Sequence, residues 1–466
     1  MAEQEIAIQD QYEEILQTGN DSAISEFLNQ QNISDVAELI EENEEKEMDI
    51  FLHLSMHRAI SLFKILEHSN QKRIIKSLPP TKSAELLNEM QADDRTAFLE
   101  DLPNEVVREL VKTLTPDERK ITLSLLGYPE NSVGRLMTPD YIYVHEYNTV
   151  AEVLDIIRHV GKDTETIDVI YVINAHGELL DDLRIREFIL AAPNKKVSEM
   201  MDGRFIELNV NDDQETANEV FKMNNRVALP VVDDYNVLLG IVTIDDVLWV
   251  ANEEFSEDIQ KIGGAEALDQ PYLETPFFNL IKKRVGWLII LFLSEMLTAT
   301  AMAYYNDELG KMLILTNFIP LIMSSGGNSG SQASTLIIQA MALGEVAIAD
   351  WWRVMRREIL SGLVLGLILG TIGFMRISLW SLLMHHGIMT DIYGIHWFLI
   401  ALGVSFSLVG VVLWGSFAGS MLPIILKRLG ADPASSSAPF VATLVDVTGL
   451  IIYFNVTLLF LKGNGL

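Results

Sequence analysis

The chain has 466 residues, enough for two or three domains, with 65 acidic against 34 basic side chains and no cysteine. Disulfides, thiolate metal sites and cysteine nucleophiles are therefore excluded. Residues 276–466 carry 9 acids and 11 bases, which leaves 56 acids and 23 bases to residues 1–275, a half that repels nucleic acid and attracts cations.

The first ten residues have acids in place of a basic n-region and no apolar h-region, so they do not read as a signal peptide. Residues 1–275 are expected to stay on the side where they were made. Residues 1–135 read as an acidic helical N-domain. Leu78-Pro79-Pro80, Leu102-Pro103 and Leu114-Thr115-Pro116 each place a proline suited to a first helical turn before an amphipathic segment. Short helices at this spacing predict an α-helical solenoid of undetermined hand.

Residues 136–196 and 197–255 form an internal duplication, opened by Leu136-Met137-Thr138-Pro139 and Ser198-Glu199-Met200-Met201. Each copy reads as strand, helix, apolar strand (Val169–Ile173; Ala228–Val232), turn, strand and helix. The segment Leu238-Leu239-Gly240-Ile241-Val242-Thr243-Ile244-Asp245-Asp246-Val247 resembles the signature of a CBS domain, so the pair resembles an α+β tandem CBS unit. In that family Thr and Asp here often meet the ribose and phosphates of an adenine nucleotide, which makes Thr243 and Asp246 candidate contacts to ATP or a relative. The first copy has Asp181-Asp182-Leu183-Arg184 there and lacks both Gly and Thr; a dimerising pair without nucleotide is the alternative. Residues 256–280 follow as an acidic connecting (plug) helix that begins in Asn252–Ile262, bends at Gly263-Gly264 and ends at Pro271 and Pro276.

Residues 281–466 read as an all-α membrane domain of five spans: Val285–Tyr305, Met312–Ala342, Ile359–Met384, Trp397–Leu426 and Phe440–Leu461. Glycines or prolines interrupt the second and fourth, which predicts kinks or irregular turns. Lys282, Lys283 and Arg284 precede the first span. Arg353, Arg356 and Arg357 separate the second from the third, and Lys427 and Arg428 the fourth from the fifth. The opposite loops carry Asp307, Glu308, His385, His386 and Asp391, with Lys311 as their base. Basic loops remain cytosolic, so the N-terminal domains lie inside and the tail at Leu466 outside.

Ionisable groups inside a span cost about 2.5–3.5 kcal/mol at mid-bilayer on insertion scales and usually serve function. Three stand out: Glu295 in the first span, Arg376 in the third and Asp446 in the fifth. A carboxylate facing lipid would protonate, whereas one facing water and a cation stays charged; pairing with Arg376 is the structural alternative. In the second span only Ala333 of Ser324–Thr335 is neither glycine nor a hydroxyl- or amide-bearing residue. Gly362, Gly366 and Gly370 of the third span have the spacing of a packing seam. The polar groups of the second span, Asn328 and Gln332 among them, exceed what a seam requires and can line a wet path. Mg²⁺ sheds water reluctantly and is often held through water by one or two carboxylates. One Asp per chain then argues for two chains meeting at the path.

The domain order, Gly326-Gly327-Asn328-Ser329-Gly330-Ser331-Gln332, and the run from Asp432-Pro433 to Asp446-Val447-Thr448-Gly449 together resemble the MgtE family of Mg²⁺ channels/transporters over nearly the whole chain. The resemblance implies a homodimer in the bacterial inner membrane, surrounded by lipid. Its pore would be lined by the second and fifth spans, with Asp446 holding hydrated Mg²⁺ and Ala442 and Gly449 nearby. It also implies that cytosolic Mg²⁺ binds acidic faces and closes the pore. The sensor residues carried over are Asp213, Glu215, Asp246, Glu254, Glu257 and Asp258, with Asp93 and Asp94 in the helical domain. Asn225 and Trp249 stand where family members can carry acids, and Ala438 where an Asn can occur, so this chain departs from the family at those contacts. No enzymatic activity, nucleic acid or other protein partner is indicated.

Four rivals remain to be weighed. An intramembrane protease needs H-E-x-x-H, but His145-Glu146 continues Tyr147-Asn148-Thr149 in a soluble strand. An anion channel with CBS domains carries them after the membrane part and has more spans, whereas a nucleotide-regulated CBS ion channel of another kind stays open as an alternative. A Co²⁺, Ni²⁺ or Mn²⁺ carrier on the same scaffold stays open, because a water-mediated carboxylate selects softly.

Overall fold

The structure, a computed structural model, describes residues 2–462 except 18, 101, 163, 269, 271, 274, 307–312 and 391. Asp307, Glu308, Lys311, Met312, Asp391, Pro271 and the tail to Leu466 lie outside the described residues. The chain divides into two compact units, Met1–Glu254 and Phe255–Leu466.

The first unit starts with α-helices of 16 residues or fewer, among them Met56–Ile65, Pro80–Glu89, Ala92–Glu100, Asn104–Thr113 and Pro116–Leu125. Pro80 and Pro116 occupy first-turn positions, where a missing N–H costs nothing. Leu28, Ile40, Leu62, Phe63 and Leu87 form the apolar core of this part.

Two three-stranded sheets follow, β1 Tyr143–His145, β2 Val169–Ile173 and β3 Leu179–Arg184, then β4 Leu208–Asn209, β5 Ala228–Val232 and β6 Leu238–Thr243. In each sheet the first strand runs parallel to the second, and the second antiparallel to the third. Every residue of β2 and of β5 is buried, as the apolar character of both and the largely β-branched sequence of β2 require. The copies meet reciprocally: Leu179 N donates to Asn236 O (2.9 Å) and Leu238 N to Gly177 O (3.0 Å). The residues expected to open the first copy also pair with the second, since Thr138 and Ile241 exchange both backbone bonds.

The last helix of the second copy runs unbroken from Ile244 to Ile262. No Gly or Pro interrupts those 19 residues, so the expected connecting helix is the continuation of this one and ends at Gly263-Gly264, where Gly264 takes φ +78°. No helix spans the described residues of 265–276.

In the second unit, four helices are long and apolar enough to cross a membrane: Phe277–Tyr304, Ile348–His385, Gly394–Arg428 and Ala438–Leu461. The helix Ile319–Ala342 is 24 residues long and uncharged, but its Ser-Gly-Asn-Gln segment keeps it outside that group. The irregularity expected in the second and fourth spans is confined: a 3₁₀ segment, Leu313–Phe318, precedes the helix Ile319–Ala342, and Trp397–Arg428 stays helical through Pro423.

Glycines decide how these helices pack. Gly362, Gly366 and Gly370 lie against Ser416, Val409 and Ser405 on Trp397–Arg428, with a Cβ on Gly366 only 2.8 Å from Val409 Cα. Gly415 and Gly419 of that helix face the backbone of Gly326 and Gly330, and a Cβ on Gly419 would overlap the Gly330 carbonyl. Because backbone cannot yield as a side-chain tip can, Gly419→Ala is expected to destabilise this unit by about 1–3 kcal/mol or more. Thermal unfolding in detergent measures it, with Ser324→Ala on an exposed position as the unaffected control.

Candidate ion path and cation-sensing cluster

The helix Ile319–Ala342 has two chemically distinct faces. Gly326, Gly327, Ser329, Gly330, Ala333 and Ser334 are buried against neighbouring helices, while Ser324, Asn328 and Gln332 are exposed at four-residue spacing. Its hydroxyls on or beside the packed face bond to helix neighbours: Ser331 Oγ donates to Ala438 O and Ser334 Oγ to Ser436 O (both 2.9 Å). The twelve-residue polar segment therefore contains both a seam and a polar stripe.

Ala438–Lys462 packs directly on this helix, with Gly327 against Ala442 and Gly330 against Val441. Asp446 follows Val445, whose side chain meets Gly326. It is half-buried, and Glu295 of Phe277–Tyr304 is the charge that acts on it. Among the described residues no cation pairs with Asp446. Arg376 lies instead beside Tyr393 Oη (3.5 Å) and over the Trp380 ring (5.8 Å). Ala442 is half-buried, whereas Gly449 is buried, its α-carbon facing Val411 and Met323. Ala438 offers its carbonyl to Ser331.

In the first unit, Asp93, Asp94 and Asp246 come together as one cluster, joined by Asp245, Glu165 and Lys64, which sequence reasoning did not single out. Lys64 Nζ sits 3.2 Å from both Asp94 Oδ1 and Asp245 Oδ2. Thr243 Oγ1 lies 2.5 Å from Asp245 Oδ1 and 2.6 Å from Asp246 Oδ2, so the two candidate nucleotide contacts bond to each other. Asp93 is 4 % exposed, and among the described residues neither of its carboxyl oxygens has a hydrogen-bond partner; Glu165 Oε2 is likewise buried without one. Orphaned buried carboxyl oxygens are what a cation would satisfy. Among the described residues no three His, Asp or Glu groups form a ready metal cage. A cation here would therefore keep much of its own water, as Mg²⁺ does.

Burial pushes the Asp93 carboxyl well above the usual range, reinforced by Asp246, Asp94 and Glu165. It also lifts Asp246 to about 6 against the pull of Lys64, and Glu165 to about 7. Asp94 is raised too, by burial that outweighs Lys64. Asp245 ends below its ordinary value, because burial is outweighed by the Thr243 hydroxyl and Lys64. Asp246 and Glu165 stay protonated in the folded chain at pH values where the unfolded chain has released those protons, so stability falls as pH rises from about 4 to about 7. Asp245 acts in the opposite sense, but below about pH 4. In EDTA the unfolding midpoint of the soluble half is expected to be higher at pH 5 than at pH 7.5, with Mg²⁺ restoring it at pH 7.5. A midpoint that rises with pH in EDTA would contradict this account.

The other sensor candidates occupy a second area. Asp213 caps Gln214–Asn224, accepting from Glu215 N at 2.9 Å, and both residues are exposed. Between them Gln214 Nε2 donates to Glu254 Oε1 (2.9 Å), which brings Glu254 to the same helix end. Glu257 pairs with Lys261, which also reaches Asp432 Oδ2 at 2.7 Å; Asp258 is half-buried on the same helix. Asn225 takes φ +49° at the end of its helix, a left-handed position that Asn tolerates, and Trp249 is exposed. In the first copy Asp182 pairs with Arg226 (2.8 Å), and Asp181 accepts from the backbone of Asp202 and Gly203. Those acids serve the fold where the second copy has its signature.

Residues 319–456 match the family described as MgtE, divalent cation transporter. Residues 9–131 match the MgtE intracellular N domain, and residues 133–192 and 197–253 match CBS domains. The chain is 35% identical to the magnesium transporter MgtE of Thermus thermophilus, covering 87% of this chain and 92% of that protein. It is 28% identical to the magnesium transporter MgtE of Bacillus subtilis, covering 92% of each. Its soluble part is similar to the crystal structure of the cytosolic domain of the Mg²⁺ channel MgtE in complex with ATP. That likeness has 33% identity and a TM-score of 0.50, over 52% of this chain and 99% of the other.

Proposed function

The chain belongs to the MgtE family, and from that premise we propose that it is not an enzyme but a membrane protein that passes Mg²⁺ along a path beside Asp446, under control of its acidic N-terminal half. The observation that carries the path is a carboxylate inside an apolar helix with no cationic partner among the described residues. It lies on a helix packed against the one that presents Ser324, Asn328 and Gln332. Such a stripe is costly against lipid, so a second copy of the chain covers it and supplies a second Asp446, and the path runs along the homodimer interface. Counted this way, Ile319–Ala342 is a fifth span, polar because it is lined by water and protein instead of lipid. Five spans and the basic loops put residues 1–275 in the cytosol and the C-terminus outside, in a bacterial inner membrane. The succession of short N-terminal helices acts as a solenoid.

Cytosolic Mg²⁺ is the closing signal. It gathers at the Asp93–Asp94–Asp246 cluster, at the Asp213, Glu215 and Glu254 helix end, and at Glu257 and Asp258, screening repulsion among carboxylates. Asp93 supports this most directly, with two buried oxygens that lack partners. An adenine nucleotide is a second regulator, supported by the ATP complex of the similar cytosolic domain, with Thr243 and Asp246 as its candidate contacts. Mg²⁺ uptake by proteoliposomes, with Co²⁺, Ni²⁺ and Mn²⁺ as competitors, tests the assignment. Mg²⁺ entry that these ions reduce only in excess supports it, and entry of the competitors without Mg²⁺ overturns it.

A further inference from the structure

The acidic cluster contains its own cation. Lys64 ends the helix Met56–Ile65 of the helical domain, Asp94 lies in Ala92–Glu100, and Asp245 opens the last helix of the second CBS copy. One ammonium thus bridges two helices of the helical domain to the CBS pair at equal 3.2 Å distances. The Lys64 side chain is 22% exposed and Asp94 11%, while Asp245 on the CBS side is 50% exposed, so solvent screens the Lys64–Asp94 arm much less than the arm that crosses to the CBS copy. Behind it lie Asp93 and Glu165, whose buried oxygens the ammonium does not reach. A single positive charge faces five carboxyl groups, and a divalent ion brings two charges to the same place.

We propose that Lys64 is a tethered counter-cation that holds the helical domain on the second CBS copy without a divalent ion, and that Mg²⁺ can take over this role when the ammonium is removed. The inference rests on the reading of the acidic half as a cation sensor. Its consequence is that docking of these two parts is already established at low Mg²⁺. The cytosolic response to Mg²⁺ at this cluster then works by exchange against a resident charge, not by closing an open, purely repulsive gap.

Because the chain has no cysteine, two can be introduced as unique label sites. Glu105→Cys on the helical domain and Lys222→Cys on the second CBS copy are both exposed. The full-length protein, spin-labelled at these positions, is compared in EDTA and in MgCl₂, with KCl matching the ionic strength. With the doubly labelled chain diluted into unlabelled protein so that a dimer carries one labelled protomer, the parent is expected to give one narrow distance distribution in both conditions. Lys64→Met is expected to lose it in EDTA and regain it with MgCl₂ but not with KCl, and Lys64→Arg to behave as the parent. Asp245→Asn, which removes the CBS end of the bridge, is expected to reproduce Lys64→Met and decides the matter should that variant fold poorly. A narrow distribution for both neutralising variants in EDTA overturns the tether, and one that stays broad at every MgCl₂ concentration overturns the exchange. Because the readout is a distance, its failure separates from that of the sensor reading, which falls when deletion of residues 1–275 leaves the Mg²⁺ inhibition curve unchanged.

Discussion

Asp446→Ala is expected to reduce Mg²⁺ uptake by proteoliposomes to the level of protein-free vesicles. One carboxylate attracts a divalent ion held through water about 5 Å away by on the order of 6 kcal/mol at an effective dielectric of about 20. Desolvation offsets part of this, yet a surviving third is about 2 kcal/mol, which already exceeds a tenfold change. Asp446→Asn keeps the shape and removes the charge, so it separates the two contributions. If charge is what matters, both variants fail alike; if Asn conducts as well as Asp, the side chain is merely polar lining. Asn328→Ala and Gln332→Ala, which remove uncharged groups, are expected to cost less than either. The control for folding is an unfolding midpoint in detergent within the range of the parent. Uptake undiminished by Asp446→Ala would end the transport assignment at this residue.

Deleting residues 1–275 is expected to leave Mg²⁺ uptake intact and to raise the internal Mg²⁺ needed for half-inhibition by more than about tenfold, that is about 1.4 kcal/mol of lost coupling. The deleted half carries 56 of the 65 acidic residues, so nearly all the charge able to gather divalent ions goes with it. Like charges held close on one chain repel, and a divalent ion relieves that repulsion more effectively than a monovalent one at the same ionic strength. The measurement is uptake against a series of internal Mg²⁺ concentrations. An unchanged inhibition curve would remove the sensor from the acidic half and leave its charge as a solubility device. The Asp93→Asn variant of the full chain gives a finer version, because it takes away the buried carboxylate without partners and leaves the Lys64 bridge in place.

Asp446 was legible in the sequence because a charge inside an apolar run is costly anywhere in a bilayer, whatever surrounds it. The duplicated CBS pattern was legible because strand burial and turn chemistry are local, and β2 and β5 are buried throughout as their sequences require. The backbone partner of the first copy's opening was not, since Thr138 pairs with Ile241, about a hundred residues on. Nor did the sequence divide the Gly-Ser segment into a packed and an open face; the fit of Gly415 and Gly419 onto Gly326 and Gly330 makes that division.

By itself, then, the sequence determined which segments are apolar, which half is acidic, where the intramembrane carboxylates sit and which signature the second CBS copy carries. Those properties follow from each residue's own transfer energy, charge and backbone preference. Only the tertiary structure decided that Lys64 meets Asp94 and Asp245, that Asp93 is buried without a hydrogen-bond partner among the described residues, and that Arg376 goes to Tyr393 and Trp380 while no described cation pairs with Asp446. Those pairings join residues far apart in the chain. They depend on the close packing of whole helices, which no local pattern encodes.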